Sequence, residues 1–240
     1  MRVPMSCHAC IFDEGVGVNS AVFWVELNDS GFYEVTCPRG HSSQGWIQAG
    51  KYQLLFEEAV CALRDGYYRA AVADFSASLE RFCEFAFWVL SGKQEVAADE
   101  VLNAWSDVKS QSERQLGLYI AAYLSVRKSR PLLLTSRQRE FRNDVVHKGY
   151  VPTREQALEF GQAVADLVRP VEEWLSTEHT DYLSSAVYFN MLRSAGNKAE
   201  GQTFTYIVPM FLEHISRPGR PADLRSYVDR PEQWWRGGRG

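Results

Sequence analysis

Apolar residues recur at helical spacing from Lys51 onward, whereas upstream of it they sit in short β-prone runs. KYQLLFEEAVCALRDG predicts a first helix that stops near Asp65 and Gly66. YYRAAVADFSASLERFCEFAFWVLSG predicts a long second helix ending at Ser91 and Gly92, with Ala71, Phe75, Leu79, Phe82, Ala86 and Val89 as one stripe. Phe85, Phe87 and Trp88 lie off that stripe, so this helix is either central in a bundle or shared with a partner. EVAADEVLNAWSDV and ERQLGLYIAAYLSV follow as a third and a fourth helix, and the pattern breaks at Pro131. A fifth helix opens at the capping pair Thr135-Ser136 and closes at Gly149. A sixth, TREQALEFGQAVADLVRPVEEWL, opens at Pro152-Thr153. The pattern gives a mainly α fold, an up-and-down helical bundle of about 125 residues.

Upstream, AVFWVEL and GFYEVT flank the turn residues Asn28, Asp29, Ser30 and Gly31 and predict a β-hairpin. Downstream, TDYLSSAVYFNMLRSAG predicts a helix, and TFTYIVPMFLEHIS is a weaker apolar stretch interrupted by Pro209. The chain finishes in an arginine-bearing segment with Trp234 and Trp235, aromatics that either stack bases or sit in a docked or disordered tail. The expected division is residues 1–48, 50–177 and 178–240.

With 240 residues, 45% of them hydrophobic, the chain is long enough for one full core and a small appended module. No apolar run approaches the roughly 18 residues of a membrane span. MRVPMSCHAC lacks the continuous apolar stretch of a signal peptide, so a cytoplasmic protein without a membrane partner is expected. A net charge of -4 does not suggest a general nucleic-acid binder. The charge is uneven, however: Lys109 to Lys148 holds nine Lys or Arg against Glu113, Glu140 and Asp144. That basic sector is either a backbone-binding surface or a solvated helix face.

Five cysteines is an odd number and argues against a disulfide framework. Cys61 and Cys83 fall in helical patterns and read as buried small hydrophobes. Cys7-His8-Ala9-Cys10 and Cys37-Pro38-Arg39-Gly40-His41 instead flank the predicted hairpin. Two tight ligand pairs around a hairpin are zinc-ribbon geometry, and Cys7, Cys10, Cys37 and His41 would close a tetrahedral Cys3His site around one structural Zn2+. His8 is the other candidate imidazole, but its place between two cysteines disfavours it. The alternative is unpaired cytosolic thiols with a surface histidine. Zinc ribbons bind nucleic acid or protein, so this module leaves the function open.

RNDVVH, Arg142 to His147, lies inside the fifth helix. Asn143 and His147 are four residues apart and share a face. Arg142 is about 140° around from His147, within reach of a shared ligand through its long side chain. Arg offers a forked grip on phosphate, and His a proton shuttle. One imidazole cannot act as base and acid in one concerted step, whereas a two-fold dimer would place two of them across one cleft. Such chemistry needs a ribose 2′-OH and therefore RNA. No cluster of acidic metal ligands points to two-metal hydrolysis, so no cofactor for catalysis is expected. The competing explanation is a helix end with surface decoration, Asp144 and Lys148 pairing four apart. Glu80, beside Arg81, is either one of an exposed or intrahelical set with Glu84 or a carboxylate that orients a catalytic base.

Arg142, Asn143 and His147, in a helix that closes before Gly-Tyr-Val-Pro, together with the upstream YYRAAVADFSASLERF and its Glu80, resemble the HEPN superfamily of nucleotide-binding helical domains. The likeness spans Lys51 to about Thr177. It implies an all-α bundle that homodimerises through the motif-bearing helices. It also implies metal-independent endoribonuclease activity that leaves 2′,3′-cyclic phosphate and 5′-OH ends, with Arg142, Asn143, His147 and Glu80 as site residues. A toxin or anti-phage role under an antitoxin, regulator or trigger protein is implied as well. Some members of that superfamily only bind nucleotides or RNA or assemble complexes, and the same likeness admits such a module, recruited through its zinc ribbon.

Overall fold

The computed structural model describes residues 1–195, 203–206, 210–212 and 223–229. Pro209 and the Trp234-Trp235 pair lie outside the described residues. The chain is mainly helical with a small β portion at the N-terminus. It forms two compact units. The first holds residues 1–49, 187–195 and 203–206, and the second residues 50–186, 210–212 and 223–229.

In the first unit β1 (Arg2–Ser6) pairs antiparallel with β2 (Val22–Glu26). The short helix α1 (His8–Phe12) and a 3-10 turn lie between them. Strand β3 (Phe32–Thr36) forms an antiparallel hairpin with β4 (Ser42–Ile47), and β5 (Thr203–Tyr206) joins β4 in parallel. A hairpin is therefore present, but AVFWVEL and GFYEVT do not pair with each other. Asn28 does make the expected turn, its side chain accepting from Gly31 N–H at 2.7 Å. What decides the pairing is the tight loop Cys37 to His41. Cys37 N–H donates to the His41 carbonyl and Gly40 N–H to the Cys37 carbonyl, both at 2.9 Å. Gly40 sits at φ +90°, a region that favours glycine. This loop is itself a hairpin turn, so β3 folds back on β4. Val3 and Met5 of β1 are buried alternately and claim the edge of β2.

In the second unit α3 (Tyr68–Lys93) is central, packing on α2 (Lys51–Arg64), α5 (Ser112–Arg127), α6 (Ser136–His147) and α7 (Arg154–Glu178). Helix α4 (Ala98–Val108) packs on α3 and α5. The expected stripe on α3 is buried except for Leu79, which is half-buried, and Phe85, Phe87 and Trp88 are buried too. A helix apolar on most sides is thus the core of this unit. Helix α7 runs unbroken through Pro170. Helix α8 spans Thr180–Ala195, as TDYLSSAVYFNMLRSAG predicts.

The distal residues are structural parts of both units. β5 completes a sheet of the first. In the second, Met210 to Leu212 and α9 (Leu224–Val228) are held by buried groups. Glu57, fully buried on α2, accepts from Phe211 N–H at 2.5 Å and from the Tyr227 hydroxyl at 3.0 Å. Leu224 fits because Gly161 of α7 has no side chain; a Cβ there would lie 2.6 Å from Leu224 and 2.5 Å from Phe75.

Asp74 of α3 is a local cost in this packing. Burial first, and then the Glu58 charge, push its carboxyl up to about 6. Folding therefore takes up a proton between about pH 4 and 6. The penalty for its charge is absent below that window and complete above it. Asp74→Asn is expected to raise the thermal midpoint at pH 7 and to leave it unchanged at pH 4, as read by thermal melts at both values.

Candidate functional site

Two sites stand out, one in each unit. In the first unit Cys7 occupies the N-cap of α1 and Cys10 lies within it, while Cys37 and His41 bracket the β3–β4 turn. All four ligand atoms lie within 4.8 Å of one another, and the three thiols are buried. His41 points Nδ1 at the sulfurs, 3.3 Å from Cys10 and 3.7 Å from Cys7 and Cys37, and the Cys10 and Cys37 sulfurs are 3.8 Å apart. A tetrahedron on metal–sulfur bonds of about 2.3 Å has edges of about 3.8 Å, slightly less toward a nitrogen ligand. The cluster fits a metal ion. His8 stays outside it, its ring edge-on to Phe12 and Tyr206 at 5.8 and 5.9 Å.

The thiols sit in unequal surroundings. Burial, with the Cys7 and Cys37 sulfurs adding to it, pushes the Cys10 thiol up to about 12. Burial also pushes Cys37 up, but the N–H groups of His41 and Arg39 together with the Cys7 and Cys10 thiols bring it down to about 6. Arg39 N–H donates to Cys37 Sγ at 3.3 Å. The β3–β4 turn thus points a backbone N–H at the Cys37 sulfur, which favours its thiolate form.

The second site is α6. Thr135 and Gln138 form the expected capping box: Gln138 N–H donates to Thr135 Oγ1 at 3.3 Å and Thr135 N–H to Gln138 Oε1 at 2.8 Å. At the other end Gly149 takes φ +75°, and Tyr150 N–H reaches back to the Asp144 carbonyl at 3.0 Å. Of the helix only Val145 is fully buried, so α6 lies on the surface of its unit.

Arg142 is gripped on three sides. Its Nε donates to Ser76 Oγ at 2.8 Å, Nη1 to Asn143 Oδ1 at 3.1 Å and Nη2 to Glu80 Oε1 at 2.6 Å. Glu80 also accepts from the Ser112 hydroxyl at 2.9 Å. The pair is largely shielded, with side-chain exposures of 23% for Arg142 and 31% for Glu80. Arg81 pairs instead with Glu84 at 2.5 Å, which leaves Glu80 to Arg142 of α6 and Ser112 of α5. Glu80 thus binds the guanidinium, not the imidazole. His147 is exposed at the helix end and has no hydrogen-bond or ion-pair partner among the described residues.

Arg69 of α3 holds the same helix end, donating to the Val145 and Val146 carbonyls at 3.2 and 3.5 Å. Ser76, Ser112 and Arg69 carry no motif. The available hint is spacing, since Ser76 and Glu80 are four apart on one face of α3. Of the basic sector, Arg114, Arg130, Arg137 and Arg139 are exposed without an acidic partner among the described residues. Lys148 pairs with Asp144 at 2.8 Å, and Arg127 with Glu178 at 3.3 Å.

Among the described residues no helix is long and apolar enough to cross a membrane. Comparison of the chain with protein-family models, with curated proteins and with solved structures finds no match.

Proposed function

We propose that the chain is a dimeric endoribonuclease of the HEPN type, carrying a structural zinc ribbon. The observation that supports it is the placement of RNDVVH: an oriented guanidinium and a free imidazole on one helix that its own unit leaves largely uncovered. Arg142, held in place by Ser76, Asn143 and Glu80, keeps two of its five N–H donors for a phosphate oxygen. Glu80 is a positioning residue for that guanidinium. Asn143 steadies it and offers an amide N–H2 to substrate. His147 moves the proton. One copy takes it from the ribose 2′-OH, which attacks the adjacent phosphorus. The copy from a two-fold mate gives a proton to the departing 5′-oxygen, and a 2′,3′-cyclic phosphate remains.

Leu132 and Val151, 71% and 73% exposed, flank α6 and supply apolar surface for the mate. The unpaired arginines from Arg114 to Arg139 give RNA a backbone-binding flank. In the ribbon, three thiolates and one imidazole suit zinc, and a closed set of four ligands makes it structural. A toxin or anti-phage setting, with an antitoxin or trigger protein controlling the dimer and the ribbon recruiting a partner, is the biological frame we favour.

One observation favours a second reading. Arg142 already commits three donors and its charge to its own chain, as a purely structural clasp between α3 and α6 would. That reading makes the chain a nucleotide- or RNA-binding or assembly module with affinity and no turnover. Incubation of purified protein with total RNA, followed by end-group analysis, separates the two. Fragments ending in 2′,3′-cyclic phosphate and 5′-OH are expected, and bound but intact RNA would leave only the second reading.

A further inference from the structure

Glu14 lies just past α1, its N–H donating to the Ala9 carbonyl at 3.2 Å. It has no place in the ligand set, yet its carboxylate faces the set from outside. Oε1 is 3.3 Å from His41 Nε2, and Oε2 is 3.0 Å from Arg39 Nη1. His41 thus uses its two ring nitrogens for different work. Nδ1 faces Cys7, Cys10 and Cys37, and Nε2 faces a carboxylate. When Nε2–H donates to Glu14, the proton is fixed on that nitrogen, and Nδ1 keeps its lone pair for a metal.

The placement has a second consequence. Glu14 follows the first ligand pair along the chain, whereas Arg39 and His41 belong to the second. Its carboxylate therefore clasps the two ligand pairs together from outside the four ligands. From this geometry we infer that Glu14 is the positioning residue of the Cys7, Cys10, Cys37 and His41 centre: it sets the His41 tautomer and ring orientation, and Arg39 steadies it. The inference rests on the metal-site reading above.

Zinc affinity of the full chain and its variants, read by competition with a chromophoric chelator, tests it. Glu14→Ala should bind zinc about 10–100-fold more weakly than the parent. Glu14→Gln keeps an acceptor opposite Nε2 and should bind zinc more tightly than Glu14→Ala. Arg39→Ala removes only an exposed ion pair and should stay within about twofold. With cobalt in place of zinc and the site saturated, the ligand-field bands should change in Glu14→Ala, hold in Arg39→Ala and return in Glu14→Gln.

A plain surface ion pair would instead make Glu14→Ala and Arg39→Ala alike in both measurements, which overturns the assignment. Should Glu14→Ala lose its fold with metal in excess, Glu14→Asp carries the same comparison, because it withdraws the carboxylate by one methylene. A parent that takes up no metal overturns the centre itself and Glu14's role with it. A parent that binds zinc no more tightly than Glu14→Ala overturns Glu14's role alone.

Discussion

Replacing His147 by alanine is expected to lower RNA cleavage about 10²–10⁴-fold, the range for removal of a positioned proton-transfer group, with no change in the thermal midpoint. The stability half of that expectation follows from geometry. His147 is exposed, and no described residue relies on its ring. Arg142→Ala should remove cleavage to a similar extent but behave differently in a melt. It leaves the shielded Glu80 carboxylate with only the Ser112 hydroxyl and frees Ser76, a loss of about 1–3 kcal/mol. Arg142→Lys restores a charge but not the fork that reaches Ser76, Asn143 and Glu80 together, so it should recover part of the stability and little of the turnover. Rates come from labelled RNA and stability from thermal denaturation of the same preparations. If His147→Ala cleaves like the parent, the imidazole has no part in the reaction and the motif is a helix end.

The contrast between these two residues shows how much of the site was legible in the chain. The motif helix could be placed by its own punctuation, a capping box at Thr135 and a left-handed glycine at Gly149. Such signals are local, so a sequence displays them. The partners of Arg142 are not local: Ser76 and Glu80 lie 66 and 62 residues away. Periodicity places Glu80 off the apolar stripe of α3 but cannot show that α6 crosses there. Glu80 therefore suited an intrahelical set with Glu84 or the orienting of a base, and its pairing with Arg142 emerged only with the crossing.

The ribbon repeats this lesson in strand form. The four residues that converge there, Cys7, Cys10, Cys37 and His41, could be picked out by spacing, because metal chemistry demands close pairs. Its strand partners were not, because a loop such as Cys37 to His41 is at once a ligand loop and a hairpin turn. β5 comes from beyond residue 200 and pairs in parallel with β4. The docking of α9 was hidden for the same reason: Leu224 needs the missing side chain of Gly161, and Glu57 finds its partners 154 and 170 residues away.

On the zinc-ribbon reading, removing the metal is expected to have the largest effect on the first unit. Among the described residues its buried apolar set is small, chiefly Val3, Met5, Phe23, Phe32, Tyr33, Trp46, Ile47 and Tyr206. Segments of this size bury too little surface to outweigh chain entropy without a staple. A structural metal contributes about 10–16 kcal/mol of apparent binding free energy to small zinc modules at neutral pH. That is comparable to the whole stability of a typical domain, about 5–15 kcal/mol.

Chelation, or Cys10→Ser, should therefore unfold this unit at room temperature. The second unit has a core of its own, with Phe56, Phe75, Phe82 and Leu175 almost fully buried, and should keep its transition. Calorimetry should accordingly show a metal-dependent transition that vanishes and a helical one that persists, while far-ultraviolet dichroism falls only slightly. Cys83→Ser is the control, because that thiol sits in the α3 core and not in the cluster. Its metal content should equal the parent's. A chelated chain that melts like the untreated one would show that the strands hold without the ion, and that the convergence of Cys7, Cys10, Cys37 and His41 is packing and not coordination.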